Sequence, residues 1–350
     1  MRKPNAGASS VALLILLTIP LAAHPEQQAA APAASTAAPA SITAAITAAG
    51  TAFLASLSEA DRARCVFAFN DNEQKARWSN LPVGIFERKG LRLGDLTAPQ
   101  KDAALKILTT ALSRDGYRKI TEIMNGDEVL KTAGGGRGGG NVKFGAAEYF
   151  IALLGTPSVT EPWMIQFGGH HLAINVTLVG RDNVMTPSLP AAQPATYSLN
   201  GETVRPLGDE NDKAFALINA LDPAQRKQAV LGYQVTDLVL GAGQDGKKIQ
   251  PEGILASALT APQQAMLLDL AHEWVGILND EAATGRMAEI KAALPNTYFA
   301  WSGPLTNGSA AYFRIQGPTL VIEYAPQRDV THIHTIYRDP TNDYGAKLIK

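Results

Sequence analysis

Six histidines occur in 350 residues, and four of them fall in two short clusters, His170-His171 and His332-Ile333-His334. Histidines scattered at that density would seldom find one another within two positions. Imidazole is neutral near pH 7 and is the commonest protein ligand for transition metals. On a strand, residues two apart point the same way, so His332 and His334 project from one face with Ile333 buried behind. His170 and His171 are adjacent and, as strand residues, face opposite sides. One joins a shared site and the other buttresses it or holds a backbone carbonyl behind it. The carboxylate expected to complete the set is Glu323.

Three imidazoles and an acid suit zinc first, then copper, iron or manganese. An open coordination position activates water for hydrolysis, which makes the chain a candidate metal-dependent hydrolase. The alternative is a non-catalytic exported ligand-binding protein. A plainer reading also stands, in which the histidines satisfy buried polar partners. Arg338, Asp343 and Tyr344 are candidate contacts for an anionic or polyol group on a small-molecule or polymer substrate, or else a salt-bridged turn.

Other chemistry has less behind it. There is no His-Glu-x-x-His helix, Cys-x-x-Cys pair or Gly-x-Ser-x-Gly elbow. Ser302, with His332 or His334 as base, keeps a serine hydrolase open. The glycine run Gly134–Gly140 around Arg137 lacks the Gly-Lys-Ser/Thr of a phosphate loop and reads as a surface loop. Cys65, the single cysteine, allows no internal disulfide and reads as a buried small residue. His272, alone on a helix, is left outside the site.

The elements that must position these residues follow a repeating order. Residues 41–65 are helical, with a fresh start at Ser58, and 66–69 is a short apolar piece. Thr97-Ala98-Pro99-Gln100 is a capping box that opens a helix, which breaks near Asp115-Gly116 before a second helix from Tyr117 to about Leu130. Strands follow at 148–154, 163–167 and 170–179, with Gly168-Gly169 read as the two-residue turn of a hairpin. Residues 183–208 read as loop with one short strand at 196–199.

The second half then repeats the first. Leu259-Thr260-Ala261-Pro262-Gln263 reproduces Leu96-Thr97-Ala98-Pro99-Gln100 letter for letter, and Asp222-Pro223-Ala224-Gln225 opens another helix. Tyr298-Phe299 echoes Tyr149-Phe150, and 311–324 mirrors 163–176, pairing Gly169 with Gly317 and Asn175 with Glu323. The expectation is an α+β fold of two similar halves, 41–208 and 209–350, arising by internal duplication. In each, a helix pair packs on antiparallel strands and hairpins, and the halves meet about a pseudo-two-fold axis.

Bulk properties narrow the class. Hydrophobic content of 46%, charged content of 18% and a net charge of −1 are those of an ordinary globular chain without the basic field that nucleic-acid binding needs. Arg2 and Lys3, the apolar run 11–19 and the small residues at 20–23 read as a secretory signal over 1–23. The run is too short for a comfortable membrane span. Residues 24–40, almost all Ala, Pro, Gln, Ser and Thr, read as a disordered linker. An exported protein, periplasmic or secreted and without stable membrane insertion, is expected.

A family resemblance can be placed on these residues. Gly168-Gly169-His170-His171-Leu172-Ala173-Ile174-Asn175, then Met185-Thr186-Pro187, then the stretch from His332 through Arg338 and Asp343 to Gly345, resembles the bacterial family catalogued as domain of unknown function 3500. The likeness spans roughly residues 45 to 348. Its members are often exported; the resemblance implies the boundaries and the prominence of the two histidine motifs, and no particular reaction. Where the resemblance leads one to expect Gly-Ala-Glu-Pro, this chain has Ala191-Ala192-Gln193-Pro194, and Gln193 cannot ionise.

Overall fold

Capping chemistry sets the helix starts. The backbone N–H of Thr97 donates to Gln100 Oε1 at 3.0 Å, that of Asp222 to Gln225 Oε1 at 3.1 Å, and that of Thr260 to Gln263 Oε1 at 2.9 Å. In each, a side chain three places on reaches back to an amide near the helix start. The computed structural model describes residues 41–134 and 141–349. The signal and linker readings of 1–40, and the glycine run beyond Gly134, lie outside the described residues.

The first half opens with α1 (Ile42–Ala55), α2 (Glu59–Cys65), β1 (Val66–Phe67), α3 (Asn72–Lys75) and β2 (Leu91–Arg92). The helix pair α4 (Ala98–Ala111) and α5 (Arg114–Thr132) follows, then β3 (Phe150–Leu154), β4 (Trp163–Gly169), β5 (Leu172–Val179), β6 (Asp182–Val184) and β7 (Leu189–Pro190). A small hairpin, β8 (Tyr197–Leu199) and β9 (Glu202–Val204), separates the halves. The second half runs α6 (Gly208–Ala220), α7 (Pro223–Ala229), β10 (Ile254–Leu255), α8 (Ala261–Val275) and α9 (Asp280–Ala293). It ends in β11 (Tyr298–Ser302), β12 (Tyr312–Gly317), β13 (Leu320–Pro326) and β14 (Ile333–Arg338). The result is a mixed α/β fold with nine helices among the described residues and several sheets. None of those helices is long and apolar enough to cross a membrane.

Each main sheet has one apolar and one mixed face, as period-two alternation requires. In the second sheet Phe299, Trp301, Phe313, Ile315, Ile322 and Tyr324 are buried toward the helices, where Trp274 of α8 donates to Thr335 Oγ1 at 2.9 Å. Burying each such side chain stabilises by roughly 1.5–3 kcal/mol. The opposite face carries Tyr312, Arg314, Glu323, His334 and Arg338, and the irregular segment 231–253 covers part of it. Backbone bonds from Ser188 and Ala192 to Tyr337 and Ile333, with β7 paired to β5, run the 188–192 segment between the edges of the two sheets. That region is therefore more strand-like than the loop expected over 183–208.

Two glycine readings need correction. The break expected at Asp115-Gly116 lies at Leu112-Ser113, where Ser113 Oγ accepts from Gly116 N at 2.9 Å and caps α5. Gly116 sits inside that helix because a Cβ there would stand 2.2 Å from the Ile277 carbonyl oxygen. Gly168-Gly169 likewise belongs to the ladder, Gly168 opposite Ala173 and Gly169 opposite Leu172, and the turn residues are His170 and His171. A Cβ on Gly168 would lie 2.4 Å from Leu172 O, and one on Gly169 2.6 Å from the Tyr149 ring. These glycines serve close approach, not reversal of the chain.

Candidate metal centre

The correction at the hairpin decides how the first cluster is presented. As the second turn residue, His171 takes φ 59°, a left-handed conformation that a residue with a Cβ adopts at some cost. Its backbone is held there: His171 N donates to Asn80 O at 3.0 Å, and its carbonyl accepts from Ala191 N at 2.8 Å. The preceding residue is held too, with Tyr149 Oη donating to His170 O at 2.7 Å.

So held, the ring of His171 turns toward β14. His171 Nε2 lies 2.8 Å from His332 Nε2, which in turn lies 3.0 Å from His334 Nε2. Among the described residues these three histidines are the one cluster of ligand atoms close enough to share an ion. His171 and His334 are buried and His332 is half-buried. His170 is not in the cluster. Its Nδ1 points away to Asp127 Oδ1 at 2.7 Å, while its ring lies against that of His171, centroids 3.7 Å apart. Only one of the adjacent pair thus joins, as expected, but through turn geometry and not through strand alternation.

Hydrogen bonding alone fits this cluster poorly. Asp237 Oδ1 lies 3.0 Å from His334 Nδ1, so that nitrogen carries the hydrogen and Nε2 carries a lone pair. One N–H on His332 Nε2 can be aimed well at only one of its two nitrogen neighbours. His171 Nδ1 is buried with no partner. Burial first, then the neighbouring imidazoles, push His332 down to about 4 and His171 well below the ordinary imidazole range. Two imidazoles held neutral by burial, His171 and His332, beside a third ring oriented by Asp237 suit a divalent cation. Metal–nitrogen bonds of about 2.0 Å at a tetrahedral angle set ligand nitrogens roughly 3.3 Å apart, and the three ligand atoms here lie within 4.8 Å of one another.

Asp237 supplies the carboxylate–imidazole bond that commonly orients a ligating histidine. It lies in the irregular 231–253 segment, 97 positions from His334. Asn80, from the irregular segment between α3 and β2, sets its Nδ2 3.1 Å from His334 Nε2. Neither was visible in the sequence, because no periodicity or motif marks either residue.

The remaining candidates sit elsewhere, Glu323 and Arg338 on the same sheet and Asp343 and Tyr344 in the turn that follows it. Glu323 is fully buried, and its oxygens accept from Val239 N at 3.0 Å, Leu240 N at 2.8 Å and Tyr312 Oη at 2.6 Å. It is not among the groups brought to the imidazoles. Arg338 Nη1 pairs with Asp343 at 2.8 Å and Asp245 at 2.9 Å, and its Nε donates to Leu240 O at 2.7 Å. Tyr344 Oη accepts from Trp78 Nε1 and donates to Asp245, both at 2.8 Å. Glu323 and the Arg338 knot therefore pin the segment that carries Asp237. Ser302 Oγ is engaged by Tyr233 O and Val235 N in the same cover. Burial pushes the Cys65 thiol up to about 12, so it stays protonated.

Fold and cluster together define a mixed α/β protein in which one hairpin turn and one distant strand assemble a three-imidazole cluster. The family model described as Protein of unknown function (DUF3500) matches residues 39–346, and the chain belongs to that family. No curated protein and no solved structure matches it.

Proposed function

We propose that His171, His332 and His334 bind a divalent transition-metal ion, zinc first, with copper or iron as alternatives, and that the site hydrolyses a small-molecule or polymer substrate. The observation that carries this reading is the approach of three Nε2 atoms, 2.8 and 3.0 Å apart in succession. An ion held there supplies Lewis-acid polarisation and an activated water. The chain's own groups do the rest: Asp237 fixes the tautomer of His334, and Asn80 offers a polar amide beside the site. Elemental analysis of purified protein tests the reading against the double variant His332→Ala/His334→Ala. Near-stoichiometric metal in the wild type and little in the variant is expected; equal, negligible metal in both rules it out.

Non-catalytic ligand binding is the second reading, favoured by the Asn80 amide nitrogen that stands 3.1 Å from His334 Nε2, where an ion would otherwise sit. Under it, thermal shift against a ligand panel responds while hydrolase assays with added metals stay silent. The leader-like 1–23 and the linker-like 24–40 support export, tested by N-terminal sequencing of the mature protein. The common order of elements in the two halves supports an internal duplication, as does the common hairpin register, Gln166 opposite Asn175 and Arg314 opposite Glu323. That register equates Phe150 with Tyr298, one place from the pairing read in the motifs.

A further inference from the structure

We propose that Arg88 is a positioning residue for the metal centre, clamping the Asn80 segment onto the His170-His171 turn; this rests on the metal reading above. Arg88 Nη2 donates to Ser79 O at 2.6 Å, Leu81 O at 2.7 Å and Gly169 O at 2.7 Å. The first two carbonyls flank Asn80, and the third immediately precedes His170. The two segments are some 90 positions apart, and no strand ladder joins them. The direct backbone bond between them, His171 N to Asn80 O, lies inside the frame that Arg88 closes.

The energetics favour a task over simple stabilisation. Among the described residues no carboxylate forms an ion pair with Arg88, and its Nη1 is buried without a partner. A half-buried guanidinium without a directly paired carboxylate, supported only at longer range by Asp127, carries a desolvation cost. The two hydrogens of Nη2, shared among three carbonyls, recover part of that penalty, and those carbonyls flank Asn80 and precede the His170-His171 turn. The clamp sets where the His171 backbone stands, and that backbone holds φ 59° while its ring meets those of His332, just ahead of β14, and His334 within it. Backbone strain of this kind persists where the surroundings over-determine it.

The test uses cobalt(II) alone as probe on the full-length protein. Arg88→Met, which keeps the bulk but removes every donor, is expected to weaken cobalt binding about ten- to hundredfold, the usual effect of losing a group that orients a ligand. It should also shift the visible d–d absorption of the saturated protein, which reports ligand geometry and not overall stability. Arg88→Lys, with three N–H donors on one nitrogen, should recover part of both. A folded Arg88→Met that binds cobalt with wild-type affinity and spectrum overturns the proposal and leaves the metal reading standing. Wild-type protein that takes up no cobalt overturns both. If circular dichroism shows Arg88→Met unfolded, Arg88→Ala with millimolar guanidinium replaces it. Restored cobalt binding then supports the clamp, and a folded protein without restoration overturns it.

Discussion

His171 and His332, 161 positions apart in the chain, face each other Nε2 to Nε2 at 2.8 Å. One ring comes from a hairpin turn and the other from the approach to the last strand, so their meeting is a property of the whole fold. On the metal reading, an ion at that point would tie the first hairpin to the final strand and couple binding to folding.

Chelation should expose this coupling. An ion present at 100 times its Kd stabilises the native state by about 2.7 kcal/mol, which for a domain of this size is roughly 5 °C. Differential scanning fluorimetry with EDTA, then with zinc restored, is expected to lower and recover the Tm by that order. The His332→Ala/His334→Ala protein should not respond.

Asp237→Ala removes the acceptor of His334 Nδ1 while leaving all three imidazoles in place. Metal affinity is expected to fall about ten- to hundredfold. Because the Asp237 side chain is 54% exposed, the metal-free protein should lose less than about 1 kcal/mol. Competition titration against a chromophoric chelator and urea denaturation separate the two effects.

Glu323→Gln tests the anchoring of the 231–253 segment. A neutral amide can accept from only one of its two oxygen positions, leaving a buried N–H of Val239 or Leu240 unpaired at about 1–3 kcal/mol. Hydrogen exchange should accelerate at those two amides and across the segment while the apolar face of the sheet stays protected.

Asp343 gives a pH dependence with a definite sign. Burial pushes its carboxyl up from 3.8 to about 6, against the pull of Arg338. The folded state therefore holds this proton more tightly than the unfolded chain does. The stabilisation is fully present below pH 4 and is lost as pH rises through 6, with a ceiling of about 3 kcal/mol. Urea denaturation between pH 4 and 8 should show a component falling with pH that Asp343→Asn removes. A slope identical in the variant would mean that Asp343 titrates normally.

What could be read in the chain was local. Gln100 and Gln263 announce their helices because a capping box closes within four residues. His332 and His334 do reach one side together, although β14 begins at Ile333 and His332 stands just ahead of it. Glycine was the main source of error. Gly116 and Gly169 look like breakers in sequence, yet their job is set by Ile277 and Tyr149, which only the tertiary structure brings near. The assembled site was legible in its imidazoles and opaque in its surroundings. Asp237, Asn80 and Arg88 lie in segments without periodicity, and each meets its partner across at least 80 positions.

The late position of β14 has a consequence for biogenesis. A nascent chain that has not yet delivered the strand ending at Arg338 owns one imidazole of three, however well its first hairpin has formed. On the metal reading, ion capture waits for the segment that carries His332 and His334, and a single proteolytic cut between His171 and His332 would put the three rings on two fragments.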